Sequence, residues 1–98
     1  MADDAARVAP HVYRVLFEND RVRLLEVRMK PGEESALHSH PDYLIYALEG
    51  GTVELSDASG QSAQVTIEPG EKLWRDAEVH SARNVGSTEM AALFFEVK

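Results

Sequence analysis

Polar and apolar residues alternate along much of this chain with the period of two that a half-buried β-strand requires. The signal is cleanest over residues 22–29, VRLLEVRM, where Leu25, Val27 and Met29 share one face and Glu26 and Arg28 the other. Further stretches rich in β-formers predict strands over residues 12–17 (VYRVLF), 43–48 (YLIYAL), 52–56, 63–67, 72–75 (KLWR) and 90–97. Turn chemistry separates them, at Glu18-Asn19-Asp20, Pro31-Gly32, Pro41-Asp42, Glu49-Gly50-Gly51, Pro69-Gly70 and Gly86-Ser87 and in the run DASGQ over residues 57–61. Residues 76–78 read as a loop leading into a segment that holds His80 and Asn84. No stretch has the periodicity of an amphipathic helix of about ten residues, and residues 1–10, MADDAARVAP, signal neither helix nor strand. The pattern predicts an N-terminal arm over residues 1–11 and a single all-β domain, barrel or sandwich, over residues 12–98.

Composition narrows the function classes. A chain of 98 residues has room for one small core, with roughly two-thirds of the unfolded surface buried. A core this thin leads us to expect a homodimer that covers an exposed sheet face or edge. Hydrophobic residues are 44% and charged residues 28% of the chain, as in a folded globular protein. The net charge of −7, without any basic run, argues against nucleic acid as a partner. There is no cysteine, so disulfides, thiolate ligands and a cysteine nucleophile are excluded together, and any metal takes nitrogen or oxygen ligands. The acidic opening does not read as a signal peptide, and no segment approaches the roughly 18 apolar residues of a membrane span. The expected setting is therefore cytoplasmic, with no membrane partner.

The candidate chemistry sits in PGEESALHSH, residues 31–40, where His38 and His40 stand one residue apart. Residues i and i+2 of a strand point the same way, so both imidazoles can face one interior. His80, far along the sequence, can join them only through a non-local fold. Three neutral imidazoles meeting at one point are a common way to hold a transition metal. His11 has no neighbour at ligand spacing and reads as a surface or edge histidine.

Gly32, five residues, then His38-Ser39-His40 resembles the first half of the first cupin motif, G-x5-HxH followed by Glu and Gly. His80, three residues, then Asn84 resembles the end of the second, with Pro69-Gly70 upstream. The chain looks like a small single-domain cupin over about residues 20–97. The resemblance implies a jelly-roll-like antiparallel β-barrel with a metal inside, held in most members by three His and one Glu. His38, His40 and His80 take the histidine positions. The glutamate does not carry over: its position falls on Tyr43, or on Leu44 in the alternative alignment, and the nearest carboxylate, Asp42, faces outward if Tyr43 faces in. Where cupins often have P-x-G before the second-motif histidine, this chain has Arg75, Asp76 and Ala77.

A three-histidine site without a carboxylate leaves a divalent ion its full charge and open positions. Within the cupins it resembles the iron sites of thiol and diketone dioxygenases, while the ligands suit one divalent Fe, Zn, Ni or Mn equally. Tyr43 can donate to a substrate, and Ile45 and Ala47, inward by alternation, suit a small organic molecule. No side-chain general base is evident beside the histidines. Trp74 reads as a barrel-wall or dimer-contact aromatic, Arg75 as a solvated arginine more simply than as a carboxylate anchor, and Asn84 as a loop tie. Asp3, Asp4, Glu33 and Glu34 read as solvated charge. The leading expectation is a metal-dependent enzyme acting on a small molecule, with oxygenase chemistry foremost. The alternative is a non-catalytic ligand-binding or sensor domain.

Overall fold

The computed structural model describes residues 3–98. It contains one short helix, α1 (Ala5–Val8), followed by nine strands: β1 (Tyr13–Glu18), β2 (Val22–Met29), β3 (Glu34–His40), β4 (Tyr43–Glu49), β5 (Gly51–Ser56), β6 (Ser62–Ile67), β7 (Lys72–Arg75), β8 (Glu78–Asn84) and β9 (Met90–Val97). They form a five-stranded sheet in the order β1-β2-β9-β4-β7 and a four-stranded sheet in the order β3-β8-β5-β6, with every strand pair antiparallel. Chain neighbours fall in opposite sheets at β2/β3, β3/β4, β4/β5, β6/β7, β7/β8 and β8/β9, the crossing pattern of a jelly roll.

The alternation seen in the sequence is the alternation of burial. Arg23, Leu25, Val27 and Met29 of β2 and Met90, Ala92, Phe94 and Glu96 of β9 point inward, and between the sheets they meet Tyr43, Ile45, Val53, Ile67 and Ala82. Two glycines are required by geometry. Gly32 turns the chain into β3 with φ of 81°, a left-handed conformation that side chains resist. At Gly50 a Cβ would stand 2.7 Å from the Ile67 carbonyl oxygen, so this close approach of backbones admits glycine alone.

The N-terminal segment departs from the sequence reading. Ala5 and Ala9 are fully buried, and Asp4 caps α1 by accepting from the Ala6 N–H at 3.2 Å. The Asp3 carbonyl accepts from the Ser39 N–H at 2.8 Å. A four-residue helix has too little periodicity to register in sequence, and small alanines mark a surface that docks closely. No helix among the described residues is long and apolar enough to cross a membrane.

Candidate metal centre

Strand register assembles the histidines. In the β3–β8 pair His38 stands opposite His80 and His40 opposite Glu78, and the i, i+2 rule places His38 and His40 on one face. A register shift between Ser35 and His38 lets Ser35 point inward as well. The three rings lie edge to face, with centroids 4.8 Å apart for His38–His40 and His38–His80 and 5.1 Å for His40–His80. All three are buried, and one ring nitrogen from each lies within 4.8 Å of the others.

Hydrogen bonds on the far side set the tautomers of two rings. His38 Nδ1–H donates to the Ala36 carbonyl at 2.7 Å, and His40 Nδ1–H donates to Glu96 Oε2 at 2.7 Å. Each Nε2 is thereby left unprotonated, as a metal ligand requires. The Tyr13 hydroxyl donates to His38 Nε2 at 3.1 Å, whereas His40 Nε2 and both nitrogens of His80 are buried without a hydrogen-bond partner. Buried polar atoms left unpaired are costly, and orphaned imidazole nitrogens facing one another are the donor set a divalent transition metal takes. The residues fit such an ion. Burial pushes the His38 imidazole down to about 4, and it lowers His40 despite the opposing pull of Glu96, so both rings are neutral and competent to coordinate at neutral pH.

The sequence reading found no carboxylate here, and the structure corrects it with two. Glu96, only 1% exposed, connects His40 to Arg23, whose Nε donates to Glu96 Oε1 at 2.7 Å and whose Nη1 donates to Asp4 Oδ2 at 2.9 Å. Asp4 is thus the outer end of a chain Asp4–Arg23–Glu96–His40 rather than solvated charge. Burial raises its carboxyl, but Arg23 outweighs that and holds it below its ordinary value. Glu78 lies beside His80, its Oε1 3.2 Å from Nδ1, and accepts from the Tyr43 hydroxyl at 2.6 Å and from Arg75 through both Nε and Nη2. Burial raises the Glu78 carboxyl, yet Arg75, His80 and Tyr43 together hold it well below the carboxylate range. Both acids were legible in principle: Glu78 is two residues before His80, and Glu96 keeps the inward phase of Met90, Ala92 and Phe94.

An apolar cavity of about 50 Å³ opens beside His80, walled by Val27, Met29, Ile45, Val53 and Phe94 with Tyr43 and Arg75 at its polar end. Tyr43 and Ile45 line this cavity, but the Tyr43 hydroxyl is committed to Glu78, and burial together with that carboxylate keeps it protonated. Ala47 is buried off the wall, opposite Ala92, because two more residues of strand carry it about 7 Å along the sheet. Arg75 is half-buried and paired, which replaces the solvated reading. With Glu78 and His80 it also borders an open cleft of about 340 Å³ lined by Ser56, Asp57 and Gln61. Trp74 is 51% exposed, and its indole N–H donates to Asp76 at 3.0 Å. Asn84 ties loops, donating to the Met29 and Thr88 carbonyls and accepting from the Gly86 N–H. His11 lies at the surface, within 3.0 Å of the Glu34 carbonyl.

No protein-family model matches this chain, and no curated protein does. Solved structures do. A cupin domain from Bordetella pertussis Tohama I is similar over 100% of this chain and 97% of its own, with 26% identity and a TM-score of 0.79. A conserved protein with a double-stranded β-helix domain from Klebsiella pneumoniae is 20% identical, over 88% of this chain and 75% of its own, with a TM-score of 0.69. An RmlC-like cupin family protein from Methanocaldococcus jannaschii is 14% identical, over 88% and 78%, with a TM-score of 0.68. With its two antiparallel sheets and three clustered histidines, the chain has the fold of a small cupin.

Proposed function

We propose that this protein holds one divalent transition metal through His38, His40 and His80 and uses it to act on a small organic molecule. The observation that carries the reading is the pair of buried, unpartnered Nε2 atoms on His40 and His80, facing the Nε2 of His38 whose far nitrogen is already protonated. A metal bound there supplies Lewis acidity and, if it is iron, access to dioxygen chemistry, which is the class the three-histidine set most resembles. The chain's own residues do the rest. The apolar wall of Val27, Met29, Ile45, Val53 and Phe94 backs the centre, and the open cleft of about 340 Å³ bordered by Arg75, Glu78 and His80 has room for a small substrate. Tyr43 and Arg75 hold Glu78 ionised at the rim, its Oε1 3.2 Å from His80 Nδ1.

The ligand-binding alternative has one observation in its favour. Both carboxylates near the histidines are occupied by guanidinium groups, Glu96 by Arg23 and Glu78 by Arg75, so neither is a free general base.

Elemental mass spectrometry on protein purified without chelator or affinity metal separates the readings, with the His38→Ala/His80→Ala variant alongside. One metal per chain, absent from the variant, is the expected result. Iron would direct the search to dioxygen uptake with small organic substrates, and zinc or nickel to Lewis-acid reactions. If neither protein holds metal after anaerobic reconstitution with Fe(II), Mn(II), Ni(II) or Zn(II), the proposal fails and the binding module takes its place.

A further inference from the structure

β1 sends a single side chain into the interior. Of its six residues only Tyr13 is buried, and the other five are exposed. The phenol meets the histidines edge to face, its ring centroid 5.0 Å from that of His38 and 5.5 Å from that of His40, and Phe94 stands on its other side at 6.0 Å. The backbone fixes it there: the Tyr13 N–H donates to the Ala9 carbonyl at 3.0 Å, and Tyr13 is in register with Val27 of β2. Packing alone would be served by phenylalanine, which brings no hydroxyl to satisfy.

That hydroxyl donates to His38 Nε2 at 3.1 Å. A neutral imidazole carries one lone pair on its unprotonated nitrogen, and the Nδ1–H of His38 is already engaged by the Ala36 carbonyl. The phenol and a metal therefore draw on the same electrons, and with a metal on that lone pair the phenol proton needs another acceptor. The neighbouring carboxylates are taken, Glu96 by His40 and Arg23, and Glu78 by Tyr43 and Arg75. Ser35, whose buried hydroxyl has no settled partner, stands beside the phenol; it can donate to the phenol oxygen and leave the phenol proton free.

What remains within reach is the space in front of the rings. Tyr13 and His80 both line the cavity of about 50 Å³, among apolar walls such as Val27, Met29 and Phe94. It has the room of about one or two waters, or of the head of a small molecule. The cavity shares Leu55, Val65, Arg75 and His80 with the open cleft of about 340 Å³. A ligand whose body lies in the cleft can therefore bring its head between His80 and Tyr13.

We propose that Tyr13 reads the ligand at this centre: its hydroxyl donates to the head atom of a small molecule entering the open side of the three histidines, and it selects anionic heads that accept a hydrogen bond over heads that do not. This role presupposes the divalent metal proposed at the three histidines. It gives the phenol of β1, and not Tyr43, the task of meeting the substrate, since a phenol is an ordinary donor at neutral pH and the Tyr43 hydroxyl is committed to Glu78.

Azide, a small anion, and Co(II), whose visible absorption responds to its ligands, test this without a known substrate. Parent and Tyr13→Phe are loaded with Co(II) and titrated with azide. The variant should take up Co(II) at least as tightly as the parent, because a competitor for His38 Nε2 is gone. It should bind azide about 10–100-fold more weakly, the loss of one hydrogen bond to a charged acceptor. The infrared stretch of bound azide should shift in the parent on exchange into D2O, and less in the variant. Equal azide affinities overturn the proposal and turn the phenol to Ser35, and a parent that holds Co(II) but no azide overturns it too. So does a Co(II) affinity that falls together with azide binding, since Tyr13 then shapes the whole site, or an intense phenolate-to-metal band with Cu(II) that Tyr13→Phe abolishes, which makes Tyr13 a ligand. All of these leave the metal reading standing, whereas a parent that takes up no Co(II) sinks both. If Tyr13→Phe fails to fold, the parent decides: an azide stretch indifferent to D2O overturns the proposal.

Discussion

At the scale of single residues, the nitrogen that would meet a metal on His38 and on His40 is decided by the partner of the other nitrogen. Glu96 does this for His40 with a charged acceptor at 2.7 Å, itself held by Arg23. Glu96→Gln keeps the shape and weakens the acceptor, and it should lower metal affinity about 10–100-fold, measured by competition against a chromogenic chelator with His40→Ala as the limit. An unchanged affinity would make Glu96 a packing residue only. The same burial makes the metal-free protein acid-sensitive. The His38 value is lowered from 6.5 to about 4 in the folded state, so between these values the unfolded chain takes up a proton that the folded chain refuses. Stability is then full above about pH 6.5 and falls as pH drops toward 4, by about 3 kcal/mol from this group, with His40 shifted in the same direction. Denaturant melts of metal-free protein across this window check the slope, and His38→Gln should flatten it. A flat profile for the parent would mean that the buried rings protonate without unfolding.

At the scale of elements, the strands were legible because alternation, turn glycines and prolines agree along the chain, and the HxH pair was legible because it lies within one strand. Glu78 and Glu96 obey the same period of two. Glu78 was read as the end of a loop, and Glu96 was passed over because a glutamate on a strand usually marks the solvent face; in each case a paired arginine makes the inward position tolerable. Nothing local announces that Arg23 of β2 meets Glu96 of β9, whereas Arg75 stands only three residues before Glu78 and the turn between β7 and β8 closes the one on the other. The docked segment α1 escaped for another reason. Its helix is a single turn, held by the Asp4 cap and by Ala5 and Ala9 packing against the barrel, and not by any pattern of its own. This segment invites a test. Asp4→Ala removes both the cap and one anion from Arg23, and it should cost about 1–2 kcal/mol in urea-melt stability at neutral pH. Asp4→Asn, which can still cap, should cost less. Equal losses would assign the effect to the ion pair alone.

At the scale of the whole molecule, the histidines and the acid behind them belong to different sheets. His38, His40 and His80 stand on β3 and β8 of the four-stranded sheet, while Glu96 and Arg23 stand on β9 and β2 of the five-stranded one, and the His40–Glu96 contact is one polar bridge between the sheets, beside Tyr13–His38 and the contacts of Tyr43 and Arg75 with Glu78. A ligand that binds only the folded state at about a hundred times its dissociation constant adds about 2.7 kcal/mol, so a divalent metal at that excess should raise the melting temperature by roughly 10–20 °C for a domain of this size. Where the added protection appears tests the bridge. In hydrogen exchange, metal should slow the amides of β3 and β8 and, through His40 and Glu96, those of β9 and β2 as well. In Glu96→Gln the slowing of β9 and β2 should shrink relative to that of β3 and β8 even at saturating metal. Protection confined to the four-stranded sheet in the parent protein would show that the two sheets respond independently, leaving Glu96 and Arg23 as a structural pair with no part in the centre.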